Sequence, residues 1–201
     1  MFILNYSTVI DPLLRNIRIY TPEFAGMKAG DRVLDVCCGT GDQAFHYAKR
    51  GIVASGIDLS PGMIKLAEKN KEKQGLRDVS FQIADAVNLP FRDSFFDYAS
   101  ISLALHENEM TARDKIISEM KRVVKKEGAL IFVDFQVPLP KNLYTYLAKA
   151  IEFIAGKKHH RCFRDYIEQG GLDEILKKNQ LPETKRGYPN SFMTIIKTGN
   201  P

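Results

Sequence analysis

The stretch "VLDVCCGTGDQA", from Val33 to Ala44, decides the fold. It begins as an apolar run that carries one acid, Asp35, and this pattern predicts a buried strand. Two glycines, Gly39 and Gly41, then flank a threonine before polar residues begin a helix. Glycine tolerates positive φ and lets a ligand approach the backbone, and a strand-to-helix turn presents unpaired N–H groups. The stretch therefore predicts a strand, a ligand-binding loop and a helix.

Short apolar runs alternate with longer helical patterns along the rest of the chain. They predict strands at Val33–Cys37, Val53–Ile57, Val79–Ile83, Tyr98–Ser102 and 128–135, and helices at Asp42–Arg50, Pro61–Gln74 (with Ser60 as N-cap) and Thr111–Lys126. Such alternation is typical of parallel β-α-β units in a doubly wound α/β sheet. The segment "LPETKRGYPNSFMTIIKTG" differs, because two strand-like halves surround "GYPN". It predicts a hairpin, so at least one late strand runs antiparallel.

The 201 residues suit one domain, spanning 1–201. Residues 1–29, with Tyr6 and Tyr20, precede the first predicted strand as an N-terminal segment. Segment 136–180 interrupts the pattern and is expected to be a helical insertion near the acceptor, with helices at 142–156 and within "FRDYIEQGGLDEILKKNQ". No apolar run reaches the roughly 18–20 residues that span a bilayer, and the N-terminus does not resemble a leader. These features predict a cytoplasmic protein.

Charge and cysteine usage narrow the function classes. The net charge of +5 falls in the last third, where residues 136–201 hold 11 Lys and Arg against 6 Asp and Glu. A basic patch can attract nucleic acid, yet no nucleic-acid-binding motif accompanies it, so a solvated face is the preferred interpretation. Three cysteines, Cys37, Cys38 and Cys162, lack the spacing of a zinc site. We expect no metal.

Four acids distinguish between possible ligands of the glycine loop. "GTGDQA" fits a dinucleotide fingerprint only weakly, and Asp42 would repel a pyrophosphate at the start of the helix. Asp58, at the end of the second strand, could accept both ribose hydroxyls, and Asp85 could accept an adenine amine. With Asp35 near a charged tail, these acids favour a cationic nucleoside without phosphate, namely S-adenosylmethionine. A dinucleotide remains the alternative.

The sequence resembles the class I S-adenosylmethionine-dependent methyltransferases from about Gly30 to Phe135. The motifs "VLDVCCGTGD", "GIDLSPGMI", "FQIADAVNLPFRDSFFDYASISLALHE" and "EMKRVVKKEGALIFVDF" carry the resemblance, and the first and third are similar to the ubiquinone/menaquinone-biosynthesis C-methyltransferases. The resemblance implies a Rossmann-like, mostly parallel seven-stranded sheet of order 3-2-1-4-5-7-6 with strand 7 antiparallel. It also implies a lid formed by residues 1–29 and cofactor contacts at Gly39, Gly41, Asp58, Leu59, Met63, Asp85, Ala86, Ser102 and Leu103. Asp35, Cys37 and Thr40 are further expected cofactor contacts.

The acceptor region offers few candidates for chemistry. His106, in "ALHENE", follows the fourth strand and could act as a general base, although a loop histidine that merely faces solvent is the simpler interpretation. His159, His160 and Arg161 could hold an anionic or phenolate acceptor or could lie in a solvated basic loop. Adjacent histidines on an extended segment would point apart, which disfavours a metal pair. The quinone-type enzymes carry a glycine-leucine-arginine-asparagine run where this chain reads "LALHENEM".

Three functions follow from these patterns. The first is methyl transfer from S-adenosylmethionine to a small-molecule acceptor, anionic or lipophilic, by in-line displacement in a monomer or homodimer. The second is methylation of RNA or another macromolecule through the basic C-terminal third. The third is a catalytically silent nucleoside-binding module.

Overall fold

A computed structural model describes residues 6–142, 145–146, 150, 153–154 and 156–201, with side chains from Leu14 onward. Residues 1–5 of the predicted N-terminal segment, the side chain of Tyr6 and much of the predicted helix 142–156 lie outside the described residues. Within the described part of the chain, no helix has both the length and the apolar character needed to cross a bilayer.

Seven strands form one sheet in the order β3-β2-β1-β4-β5-β7-β6. They are β1 (Arg32–Val36), β2 (Val53–Asp58), β3 (Val79–Ile83), β4 (Phe96–Ser102), β5 (Val124–Phe135), β6 (Glu183–Gly187) and β7 (Met193–Gly199). Strands β1 to β5 pair in parallel, whereas β7 pairs antiparallel with both β5 and β6. The predicted doubly wound sheet and its closing hairpin are therefore confirmed.

Helices connect the strands and cover the sheet. They are α1 (Tyr6–Ala25), α2 (Asp42–Ala48), α3 (Pro61–Gln74), α4 (Met110–Val123), α5 (Lys157–Glu168) and α6 (Gly171–Lys178), with a 3₁₀ turn at Leu105–Glu107. Helix α3 spans the predicted residues, and Ser60 Oγ caps it by accepting the N–H of Met63 at 3.4 Å. A capping hydroxyl and a proline at the first helical position fix its start.

Successive side chains of β1 point to opposite faces of the sheet and pack into two different apolar clusters. Val33 packs in a cluster with Phe45 and Tyr47 of α2, whereas Leu34 and Val36 belong to the larger cluster on the other side. Asp35 shares the face of Val33, so the fold buries its carboxylate beneath the helix that follows the glycine loop.

Three predicted elements differ from the structure. The helix predicted to reach Lys126 ends at Val123, because Val124 already pairs with Phe96 as the first residue of β5. The basic stretch around His159 was expected to be extended or a loop, but it lies in α5, which buries Cys162 and Phe163. The single helix predicted in 163–180 is two helices, because Gly170 adopts a left-handed conformation between them.

Candidate functional site

A cavity of about 810 Å³ opens where β1, β2 and β4 end. The strand order turns around between β1 and β4, and such a point leaves a crevice at the carboxyl edge of a parallel sheet. Predicted site residues that line it are Asp35, Cys37, Gly39, Thr40, Asp58, Met63, Ser102 and Leu103. The predicted residues Gly41, Leu59, Asp85, Ala86 and His106 are not among the lining residues.

The two glycines of the loop serve different purposes. Both adopt positive φ, 53° at Gly39 and 83° at Gly41. A Cβ on Gly41 would lie 2.5 Å from the Phe81 ring, whereas a Cβ on Gly39 would have no described atom within 4 Å. Gly41 is therefore required by internal packing, and Gly39 keeps the cavity wall open to a ligand.

Asp58 holds the loop and also faces the cavity. Its Oδ2 accepts the N–H of Gly39 at 2.9 Å, and its Oδ1 accepts the N–H of Ser60 at 2.9 Å. Each carboxylate oxygen can accept a second hydrogen bond. The side chain is thus fixed at the position predicted for ribose recognition, with capacity left for two hydroxyl donors.

Asp35 is a buried acid on the cavity wall, with 2% of its surface exposed. Ser100 Oγ donates to its Oδ1 at 3.1 Å, and its Oδ2 has no hydrogen-bond partner among the described residues. Burial raises the pKa of Asp35 to about 7, although the Ser100 hydroxyl and the charge of Arg18 oppose the rise. A cationic ligand in the cavity would supply the missing charge partner, so these residues fit S-adenosylmethionine.

Helix α1 closes one side of the cavity through Leu14 and Arg18. Arg18 Nη1 lies 3.1 Å from Asp42 Oδ2, and its carbonyl accepts from Gln43 Nε2 at 3.2 Å. Asp42 is thus ion-paired, so its repulsion toward a diphosphate is weaker than the sequence alone suggested. Tyr20 instead packs on Phe24, with ring centroids 5.6 Å apart. The closing role of residues 1–29 remains a prediction.

Of the residues predicted to contact adenine, only some line the cavity. Met63 lines the cavity, whereas Leu59 is 66% exposed and does not. Asp85 Oδ1 accepts the N–H of Val87 at 3.1 Å, and Ala86 is buried. The roles of Leu59, Asp85 and Ala86 toward adenine therefore remain predictions.

The wall after β4 carries backbone strain. Leu103 and, across the cavity, Cys37 adopt positive φ of 53° and 57°. Residues with a Cβ rarely occupy this region, and such strain gathers at functional sites. Burial, together with the charge of Asp58, raises the pKa of the Cys37 thiol to about 12, so a neutral thiol faces the ligand at neutral pH.

His106 is buried rather than exposed. Its Nδ1 lies 2.6 Å from Asp134 Oδ1, and its backbone N–H donates to Asp134 Oδ2 at 3.3 Å. The residue that reaches the cavity is its neighbour Glu107, whose Oε1 lies 3.3 Å from His159 Nε2. The sequence reasoning missed both acids, although the "HENE" stretch and the acid in "VDF" were visible signals.

The three residues predicted to hold an acceptor are spread around α5. His159 alone contacts a residue of the cavity wall, Glu107. The His160 ring lies against Phe153, with centroids 5.5 Å apart. Arg161 points outward, 66% exposed, and pairs with Glu109 at 2.8 Å. Within the described part of the chain, no three His, Cys, Asp or Glu side chains form a metal-binding group.

Comparisons with known proteins agree with this geometry. A family model described as "Methyltransferase domain" matches residues 27–180. A demethylmenaquinone methyltransferase of Paenarthrobacter aurescens is 40% identical over 135 residues, 65% of this chain and 51% of that protein. A ubiquinone/menaquinone biosynthesis C-methyltransferase of Citrifermentans bemidjiense is 35% identical over 167 residues, 79% of this chain and 70% of that protein.

The chain thus spans about half the length of the first of these relatives. Among solved structures, an S-adenosylmethionine-dependent methyltransferase from Aquifex aeolicus superposes with a TM-score of 0.71 at 19% identity, covering 94% of this chain and 93% of that one. This likeness confirms the predicted fold.

Proposed function

Because the chain belongs to the methyltransferase domain family, as the resemblance predicted, we propose that it transfers a methyl group from S-adenosylmethionine to a small hydroxyaromatic acceptor of the hydroquinone type. The observation that carries the proposal is the pairing of the buried, incompletely bonded Asp35 with the open backbone at Gly39 in one cavity. This combination suits a cationic nucleoside better than a phosphate-bearing one.

In this proposal, different residues of the cavity bind different parts of the cofactor. Asp58 is placed to accept the ribose hydroxyls, and Asp35 offsets the positive charge of the methionine end. The loop around Gly39 lets the cofactor lie against the backbone. S-adenosylmethionine supplies an electrophilic methyl group, so the chain has to hold the acceptor in line with it and exclude water. Positioning of this kind can lower a barrier by roughly 7–11 kcal/mol.

Two arguments favour a hydroxyaromatic acceptor over an anionic one. Demethylmenaquinone and ubiquinone/menaquinone precursors are the acceptors that the relatives' names indicate. The side chain on the acceptor wall is the acid Glu107, which repels an anion but can accept a hydrogen bond from a neutral hydroxyl. The departure of "LALHENEM" from the quinone-type run changes the side chains that hold such an acceptor.

Nucleic acid is not favoured as an acceptor, because basic residues of the C-terminal third are paired with acids. Arg161 pairs with Glu109, Lys178 with Asp114, and Arg186 with Asp173 and Glu183. These acids already occupy part of the basic surface that a phosphate backbone would have to contact.

The test combines binding with turnover. Calorimetry should detect S-adenosylmethionine and S-adenosylhomocysteine, and Asp58→Ala should weaken both about tenfold to a hundredfold, because a charged hydrogen-bond acceptor is lost. Asp31→Ala, at the opposite edge of the sheet, is the matched control and should bind normally. Mass spectrometry should then find one added methyl on reduced demethylmenaquinone. A folded protein that gives no heat with either nucleoside would refute the proposal.

A further inference from the structure

Glu107 is the acid on the acceptor side of the cavity. It ends the 3₁₀ turn that follows β4, and it lines the cavity beside Ser102 and Leu103. Its side chain is 39% exposed, so it can reach both solvent and a bound molecule. The other lining acids lie on or next to β1, α2 and β2, where the cofactor is expected.

Two imidazole rings from different elements approach the same oxygen of Glu107. His159 Nε2, on α5, lies 3.3 Å from Oε1, and His106 Nε2 lies 3.9 Å from it. The two rings are 6.4 Å apart between centroids. The charge of the Glu107 carboxylate also contributes to the raised pKa of the Cys37 thiol.

Asp134 fixes the orientation of His106. Its Oδ1 lies 2.6 Å from His106 Nδ1 and accepts the N–H of Phe135 at 2.8 Å, and its Oδ2 accepts the backbone N–H of His106 at 3.3 Å. With Nδ1 held by Asp134, Nε2 lies on the side of Glu107 at 3.9 Å, a separation at which His106 acts on that carboxylate through its charge as the imidazolium rather than through a direct hydrogen bond. The rings of Phe135, Phe163 and Tyr166 surround the imidazole edge-on, and Arg113 lies over the Tyr166 ring at 5.5 Å.

We propose that Glu107 takes the proton that a hydroxyaromatic acceptor releases on methylation, and that His106 and Asp134 are positioning residues for its carboxylate. This inference rests on the proposed function. The acceptor hydroxyl gives its proton to Glu107, a ring carbon forms the bond to methyl, and the methyl–sulfur bond breaks with its electron pair left on sulfur. The ring carbon then loses its proton while the oxygen regains one, so that one proton is released to solvent through Glu107.

The decisive variant is Glu107→Gln, and Glu109→Gln is its matched control, because Glu109 pairs with Arg161 away from the cavity. With reduced demethylmenaquinone as the probe, Glu107→Gln should lower turnover about 10²–10⁴-fold, the usual contribution of a general base. At saturating S-adenosylmethionine, which removes the pH dependence that Asp35 gives to cofactor binding, wild type and Glu109→Gln should share a turnover rate that rises with pH on the acid side, and Glu107→Gln should lack this rise. All three should bind S-adenosylhomocysteine with affinities within about twofold of one another.

A second readout tests the positioning pair without turnover. In ligand-free protein, the short contact between His106 and Asp134 should give a strongly downfield proton resonance. The resonance should persist in Glu107→Gln and disappear in Asp134→Asn. Asp134→Asn should also lose turnover while it still binds S-adenosylhomocysteine.

The outcomes separate the inference from the proposed function. If wild type methylates the probe and Glu107→Gln keeps both its rate and its pH profile, the role of Glu107 is overturned. If wild type shows no downfield resonance, the positioning role of Asp134 is overturned. If wild type binds S-adenosylhomocysteine but leaves the probe unmethylated, the acceptor class is wrong, and the inference falls with it.

Discussion

Replacing Asp35 by asparagine should make the protein more stable and its cofactor binding weaker. The pKa of Asp35 rises from an ordinary value of 3.8 to about 7 because the carboxyl group is buried. A carboxyl group whose pKa is higher in the folded state binds its proton more tightly there. Stability is therefore lost as the pH rises from about 4 to about 7, and the loss is complete above that range.

The magnitude follows from the pKa shift. At 1.36 kcal/mol for each unit, the full cost of ionising Asp35 in the folded state is on the order of 4 kcal/mol. Between about pH 5 and about pH 8, the stability advantage of Asp35→Asn over wild type should therefore widen by about 3 kcal/mol. Asparagine keeps the acceptor for Ser100 and adds no charge, so the difference isolates the ionisation.

Urea unfolding at several pH values measures this difference, and Asp97→Asn is the control with the opposite sign. Although burial opposes it, hydrogen bonds from Lys125 and from the Arg32 N–H lower the pKa of Asp97. Asp97→Asn should therefore fall behind wild type only as the pH rises toward the ordinary carboxyl value of 3.8, and its difference from wild type should stay constant between about pH 5 and about pH 8. If the difference in free energy of unfolding between Asp35→Asn and wild type does not change with pH, Asp35 titrates normally and the reasoning fails.

Three further predictions test other features of the site. The affinity of wild type for S-adenosylmethionine should increase up to about tenfold between pH 6 and pH 8 and then level off, because the cation binds ionised Asp35. Calorimetry on Asp35→Asn should show no such trend. Gly41→Ala should lower the thermal unfolding temperature more than Gly39→Ala, because only a Cβ on Gly41 would collide with the Phe81 ring. Gly39→Ala should mainly weaken cofactor binding, which calorimetry measures. Arg113→Met should cost about 2–5 kcal/mol in urea unfolding, because two backbone carbonyls lose the guanidinium donor that they accept from. A loss below about 1 kcal/mol would contradict this reasoning.

The sequence predicts the elements well where local signals coincide with the final packing. The limits of Val79–Ile83 and Pro61–Gln74 agree with the structure, because strand periodicity and the cap at Ser60 are local properties. The end of α4 could not be found in this way. Val124 leaves the helix to pair with Phe96, and a partner 28 residues away overrides the local helical pattern.

The sequence predicted the cavity-lining residues near β1 and β2 better than those after β4. Asp35, Gly39 and Asp58 follow one another at strand ends, so a motif could identify them. The burial of His106 depends on Asp134, a residue on another strand that no spacing rule connects to it. The many charged residues of α5 made its sequence look like a solvated loop. The spacing of Cys162, Phe163 and Tyr166 nevertheless marks one apolar helix face and could have revealed the helix.

The position of β7 has a consequence for how the polypeptide is made. This strand lies inside the sheet, with β5 on one side and β6 on the other, although it is the last strand along the chain. While the ribosome is still adding residues, the apolar edge of β5 therefore has no neighbour until 193–199 have emerged from the exit tunnel. An unpaired edge of this kind can pair with other nascent chains, so the growing polypeptide needs shielding until β7 has emerged.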